Sequence, residues 1–390
     1  MNIQSKPQKA PVWLTADSGD FEEFRRLTAQ TTAPRDVPHA AEIVRNIPVY
    51  EGRSVDACAT DPTRRQALME EWATVLSSGA GIIVIRAAYA DTAVLDRASA
   101  VFDRIIAEEK AAAKGGGDHF AKPGANDRVW NSLEKHCNAD PSSFAEYYSC
   151  HTLALASEAW LGPNYQMTAQ VNRVNPGGAA QVPHRDYHLG FMSAAQMARY
   201  PAHIHAVSPV LTLQGAVAHV DMPLESGPTM LLPFSQQYFE GYLAFSRPEF
   251  QAHFAEHHVQ LPLAKGDVVF FNPAVMHGAG TNRTADIFRL VNLLQVSSAF
   301  GRAMETVNRD AMCRALYPML LNAPEGIDLA NVIAASAEGY PFPTNLDSNP
   351  PVGGLAPKSQ AELMRAALAE GQDPSAFCAT LDALLDKNRS

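Results

Sequence analysis

From Tyr165 to Gln295 the chain breaks into short apolar stretches of alternating pattern with turn residues between them, and this spacing restricts the fold more than any other feature. Strands are expected at roughly 167–175, 181–188, 210–221, 229–233, 258–262, 267–271, 274–279 and 287–296. So many short strands in so little chain predict two packed sheets, a sandwich or jelly roll. A stretch of helical character, about Ser235 to His257, interrupts them.

The flanks read differently. Residues 1–60 carry several prolines and little periodicity, which predicts an irregular arm laid over the body, with room for a short helix. Asp61-Pro62 opens the first firm helix, an N-cap followed by proline at the first helical position. Leu68, Trp72 and Val75 share its face, and Gly79 ends it. Gly81 to Ile85 reads as a buried strand, and a second helix starts near Asp91 and dissolves at Gly115-Gly116-Gly117. Residues 118–138 are polar and mixed, as in a loop, and Asp140-Pro141 signals a third helix running to about Trp160. Beyond Gly301 the pattern is helical again, and Asp373-Pro374 caps a last helix with Phe377, Leu381 and Leu384 as its stripe. The expected division is an arm over 1–60, a central domain over 61–300 with a jelly-roll core at about 165–297, and a helical extension over 301–390 packed on that core. The fold class is α+β.

Charge and cysteine usage narrow the functions. A net charge of −10 counts against a nucleic-acid binder, which needs clustered Lys and Arg, but leaves room for a small anion held by a local arginine. No apolar run approaches the 18 or more residues of a membrane span, and the first residues lack the pattern of a signal peptide. The five cysteines are scattered and form no C-x-x-C, so neither disulfides nor a zinc knuckle is expected, and a cytoplasmic location fits.

Within the strand-rich region, His184 and Asp186 stand two residues apart, so in a strand they project to one side. His277 ends an apolar strand entered by the turn Lys265-Gly266-Asp267, and Gly278 follows, letting the backbone turn beside a ligand. Two His and one carboxylate on one face of a metal, with other positions open, is how non-haem Fe(II) oxygenases hold iron. Arg289 shares a strand face with Val291 and Leu293. A guanidinium aimed at a core face needs an anion, because an unpaired buried charge costs several kcal/mol, roughly. Beside an iron triad, the distal carboxylate of 2-oxoglutarate is a fitting partner, bound bidentately. Arg283 competes for this role, although Asn282-Arg283-Thr284 reads as a turn.

The order of these motifs resembles the phytanoyl-CoA dioxygenase family. H-x-D is followed by Gly227-Pro228-Thr229 to Pro233-Phe234-Ser235, then by G-D-x-x-x-F, H-G-x-x-x-N and an Arg. The likeness runs from the Gly81 strand to about Gln295 and is sharpest from Gln181 onward. It implies a double-stranded β-helix (a cupin-like jelly roll) that uses Fe(II), 2-oxoglutarate and O2. It implies His184, Asp186 and His277 as iron ligands and catalytic centre, with Arg289 as co-substrate anchor. Gln181 matches a position that helps bind 2-oxoglutarate or orient substrate, and Thr229 one lining the same cavity. Arg128, Trp130 and Asn131 resemble a segment leading into the substrate mouth. Two departures stand out: the family's P-G-S-H turn is Pro233-Phe234-Ser235-Gln236 here, and the His-to-Arg interval is one residue longer than usual. Related halogenases replace the carboxylate by a small residue, so Asp186 favours hydroxylation or another oxygen-derived oxidation.

Other histidines are weaker candidates. His203 and His205 have metal-like spacing but no acidic ligand at a cupin interval, His257-His258 reads as a helix end, and His219 with Asp221 fits pocket or packing. His188 reaches the same cavity if its strand continues. The function expected is thus a 2-oxoglutarate-dependent non-haem iron dioxygenase that hydroxylates an aliphatic C–H of a small-molecule substrate, releasing succinate and CO2. It would act as a monomer or homodimer without nucleic acid or membrane. The rival from another class is a non-catalytic β-helix protein that binds a metal or metabolite.

Overall fold

A computed structural model describes residues 11–112, 124–186, 190 and 192–389. Among these, ten strands form two sheets: β1 (Glu42–Val44), β2 (Ile47–Glu51), β3 (Ile82–Arg86), β4 (Asn126–Val129), β5 (Gln166–Val174), β6 (Thr212–Ala218), β7 (Thr229–Leu232), β8 (Val268–Phe271), β9 (Met276–Ala279) and β10 (Arg289–Ser297). The larger sheet has the order β1-β2-β3-β8-β6-β10-β5-β4, antiparallel except where β2 meets β3. The smaller pairs β7 with β9 and is widened by single bridges, His184 to His277 on one side and Val259 to Leu231 on the other. Two sheets face to face in this way make the α+β fold with a double-stranded β-helix core.

Alternation along the strands sorts the side chains. On β8, Val269 and Phe271 join the apolar cluster between the sheets, with Val84, Ala216, Leu231 and Val291. Val268 and Phe270 point the other way, into a larger cluster shared with the helices. Both faces of β8 are buried, which explains its unbroken VVFF. Each fully buried side chain of this size contributes roughly 1.5–3 kcal/mol.

Most helices lie on the outer face of the larger sheet, while Phe21–Thr28 and Pro248–His257 pack against Leu232 and Met276 of the smaller one. All three Asp-Pro starts are N-caps: the carboxylates of Asp61, Asp140 and Asp373 accept from backbone N–H groups of the first turn. The expected third helix is two, Pro141–Tyr148 and His151–Leu161. Near the C-terminus, helices Arg309–Leu320, Leu329–Ser336, Gln360–Glu370 and Pro374–Asn388 bury Leu316, Ile333, Met364 and Phe377 in the same cluster as Phe270 and Leu294. His151 ties this extension down, with Nδ1 3.0 Å from Asp56 and Nε2 3.3 Å from Asp328, the N-cap of Leu329–Ser336.

Several local expectations need correction. Residues 1–60 are not an irregular arm throughout: β1 and β2 form a hairpin through Arg45-Asn46, both with positive φ, and helices Phe21–Thr28 and Gly52–Ala59 flank it. That pair of φ angles is the type I′ turn, usually signalled by Asn-Gly, and the glycine is missing here. Within 118–138, Asn126–Val129 is an edge strand and Ser132–Ala139 a helix. Conversely, 181–188 and 258–262 hold only single bridges in their described parts. Each contains a proline, Pro183 or Pro262, which cannot donate to a ladder.

Behind the sheet, β10 turns Asn292 toward the helices, where its amide donates to the hydroxyls of Tyr147 and Tyr148. His219 lies here too, its ring nitrogens 3.0 Å from Tyr147 Oη and 2.9 Å from Ser99 Oγ. It packs against the helices, away from the cavity between the sheets. Burial lowers the pKa of His219 to about 3 and that of neighbouring His136 to about 4. Unfolding exposes both to the ordinary value near 6.5, so the unfolded chain binds more protons below that pH. Their contribution is complete above pH 6.5 and is lost as pH falls toward 4 and 3, at up to about 1.4 kcal/mol per pH unit for each. Thermal melting is therefore expected to drop from pH 7 to pH 5, with a shallower drop in His219→Gln; an unchanged slope in that variant would refute this origin.

Candidate metal centre

His184 and His277 are brought together by the smaller sheet. Each donates its backbone N–H to the other's carbonyl, at 2.8 and 2.9 Å, and the imidazole centroids lie 4.6 Å apart. Gln181 N donates to Ala279 O at 2.9 Å and Asp186 N to Pro273 O at 3.1 Å, so the whole 181–186 segment runs along β9 and the turn before it. Gly278 permits this approach, since a Cβ there would stand 3.2 Å from the Gln181 carbonyl oxygen. Its role is to admit a neighbouring chain segment, rather than the ligand-side turn expected.

His184 Nε2 is 3.7 Å from Asp186 Oδ1, and His277 Nε2 is 3.6 Å from Asp186 Oδ2. Among the described residues, these three form the one group of His, Cys, Asp or Glu side chains close enough to share an ion, with ligand atoms all within 4.8 Å. Both rings use Nδ1 in the same way, 2.8 Å from the backbone carbonyl two residues earlier, Val182 for His184 and Val275 for His277. A carbonyl only accepts, so the proton sits on Nδ1 and the Nε2 lone pair is free for a metal. Burial and the nearby His277 depress the pKa of His184, which keeps its ring neutral. Burial works against charge on Asp186, but its polar surroundings, among them the Gln214 amide that donates to Oδ2, outweigh it and hold the carboxyl well below the usual carboxylate range. Two neutral imidazoles and one carboxylate converging from one side fit Fe(II).

Gln214 went unnoticed in the sequence. It sits on β6, 3% exposed, and its Nε2 donates to Asp186 Oδ2. One polar residue within the otherwise apolar run Leu213 to Ala218 is the only signal that could have marked it. Arg185, between the two ligands, faces away from them: it donates to the carbonyls of Tyr238 and Ser235 and lies 5.3 Å over the Tyr242 ring. It anchors the helical insert to the smaller sheet.

All six residues singled out as ligands or anchors line one cavity of about 1110 Å³ between the sheets. Arg289 is 4% exposed, and its Nη1 donates to the carbonyls of Ser226 at 3.0 Å and Gly280 at 3.4 Å. No ion pair reaches it among the described residues, and burial lowers its pKa only to about 10, so it stays charged at neutral pH. Arg283 is exposed in its turn. Within the His-to-Arg interval the Asn282 amide nitrogen holds the loop, donating to Val174 O, Asn175 O and Ile287 O. Thr229 lies opposite Ala279, and Gln181 Oε1 accepts from the Ala279 N–H at 3.1 Å. The two thus flank the same stretch of β9.

Phe234 resolves the altered turn. It takes φ +66°, the left-handed conformation that a glycine adopts freely, at a cost of about 1–2 kcal/mol. Its buried ring and the bond from Met276 N to Ser235 Oγ hold the turn in place. Arg128 and Trp130 line the cavity, whereas Asn131 stands at the N-cap position of the next helix without a side-chain capping bond. His203 is exposed and His205 bonds Tyr200 O within a helical segment, so that pair joins no metal group. His188 lies outside the described residues.

The family model for phytanoyl-CoA dioxygenase (PhyH) matches residues 67–291. Similar solved structures include the non-haem α-ketoglutarate-dependent epimerase SnoN from nogalamycin biosynthesis, at 20% identity and TM-score 0.42, covering 60% of this chain and 84% of that one. The carbocyclase SnoK of the same biosynthesis gives 18% identity and TM-score 0.41, covering 63% and 89%. HygX from Streptomyces hygroscopicus, solved with nickel and 2-oxoglutarate, gives 12% and 0.39, covering 59% and 87%. At these scores the likeness decides nothing about this chain's reaction. No curated protein matches the chain in sequence. The family match spans well over half of the 390 residues and includes all three metal-site side chains and Arg289, and the chain belongs to the phytanoyl-CoA dioxygenase family.

Proposed function

We propose that this iron- and 2-oxoglutarate-dependent enzyme hydroxylates an aliphatic C–H of a small-molecule substrate, with His184, Asp186 and His277 as ligands and Arg289 as anchor of the keto acid. The observation that carries the reading is Arg289. A buried guanidinium without a carboxylate partner, in the same cavity as a His-Asp-His group, is a site completed by a dianion. Iron held by these residues would supply the oxidising power from O2, one oxygen atom entering the substrate and the other the succinate that 2-oxoglutarate forms on losing CO2.

The chain's own residues do the remaining work. His184 and His277 keep their protons on Nδ1 and present Nε2. Asp186 stays charged, with one oxygen oriented by Gln214, and its presence leaves no room at that position for a halide. Arg289 supplies further N–H donors to a carboxylate in its planar fork. Gln181 and Thr229, on either side of Ala279, would frame the keto acid from the smaller sheet. Val269, Val291 and Leu293 make the opposing wall apolar, which excludes water and protects the oxidant from side reactions.

His184→Ala is expected to abolish succinate release in the presence of iron, 2-oxoglutarate and ascorbate while the melting temperature holds; full turnover in that variant would end the assignment. Arg289→Leu should weaken 2-oxoglutarate binding about 100-fold, the loss of about two charge-assisted hydrogen bonds, with Arg289→Lys recovering part of it. Metal affinity should change little in either. If Arg283→Ala produced the larger loss of 2-oxoglutarate binding, the anchor would have to be reassigned.

A further inference from the structure

Cross-strand register divides the cavity into two ends. The inward residues of β10 are Arg289, Val291, Leu293, Gln295 and Ser297. Opposite Gln295 on β6 stands Gln214, and opposite Ser297 stands Thr212. Directly opposed residues share a face. Arg289 therefore marks one end, and the row bearing Gln214, which is bonded to Asp186, lies toward the other. On the function proposed above, 2-oxoglutarate spans from Arg289 to the metal, and the space beyond Asp186 is left for the molecule to be oxidised.

At that end Gln214, Gln295 and Ser297 carry side-chain polar atoms without a partner among the described residues. A carboxylate only accepts, so the Gln214 nitrogen must face Asp186, which turns Oε1 away; this buried oxygen has no partner. The Gln295 amide and the Ser297 hydroxyl make no side-chain hydrogen bond among the described residues. At the rim, Arg302 lines the cavity, is exposed, and forms no ion pair among the described residues. Arg128 differs: it lies 4.5 Å over the Trp130 ring, donates to Gln170 and is offset by the charge of Glu305. Arg302 thus offers a positive charge at the cavity in a chain of net charge −10.

We propose that this end is the substrate site and that it takes a small hydroxylated anion. A hydroxyl donates to Gln214 Oε1, further hydroxyls exchange bonds with Gln295 and Ser297, and a carboxylate or phosphate meets Arg302. An acyl chain would strip water from these groups and give nothing back. The inference rests on the oxygenase reading for which end is free, but its test needs no turnover.

The full chain, loaded with Ni(II) and 2-oxoglutarate, is titrated calorimetrically with gluconate, glucose 6-phosphate, glucose and octanoate. These probes separate hydroxyls from charge, and carboxylate from phosphate. One of the two hydroxylated anions should bind at least 10-fold tighter than glucose or octanoate. Arg302→Gln and Gln295→Leu should each weaken that binding about 5-fold or more, with the affinity for 2-oxoglutarate unchanged. Tighter binding of octanoate, no binding of either hydroxylated anion at 10 mM, or indifference to both substitutions would overturn the proposal. Failure to take up Ni(II) or 2-oxoglutarate, read on the same samples, would count against the oxygenase reading instead.

Discussion

Two backbone hydrogen bonds between His184 and His277 hold the site together, because each histidine donates to and accepts from the other's main chain. Residues far apart in sequence thereby become direct neighbours, and the side chains have little freedom in where they meet. The arrangement costs regularity elsewhere: Pro183 interrupts the ladder, and the pairing survives through Gln181, His184 and Asp186. Since Gly278 allows 181–183 to lie close, any Cβ at that position would crowd the segment that carries two of the three metal-site residues.

Buried charge is the second constraint. Arg185 and Arg289 both lie in the interior, yet they are satisfied differently. Arg185 meets two carbonyls and an aromatic face and completes the structure by itself. Arg289 meets carbonyls through Nη1 alone and pairs with no carboxylate among the described residues. The contrast separates an arginine that braces the fold from one that, on the function proposed, meets a ligand. Asp186 and Gln214 make a comparable pair, since the amide both neutralises part of the carboxylate's demand and fixes its orientation.

Much of the fold and most of the site could be read from the sequence because the signals were strong in kind. Asp-Pro caps start helices for a local reason, and all three did so. His184, Asp186, His277 and Arg289 stood out because their chemistry has few bland uses on apolar strands. What escaped reading lacked such a signal. The β1–β2 hairpin turns through Arg45-Asn46 without glycine, and β4 is an edge strand of polar residues. Gln214 is ordinary in type, and only the fold reveals that it touches Asp186. His219 was ambiguous because a strand residue near its terminus can face either way, and here it faces the helices.

The division of labour on β10 has a lasting consequence. Its even-numbered residues, Leu290, Asn292, Leu294 and Val296, are locked into the helical side, while the odd-numbered ones from 289 to 297 look into the cavity. A single strand thus keeps architecture and selectivity in separate registers. Within the odd row Val291 also belongs to the apolar cluster between the sheets, so an exchange at 295 would change the cavity wall with the smaller loss of packing.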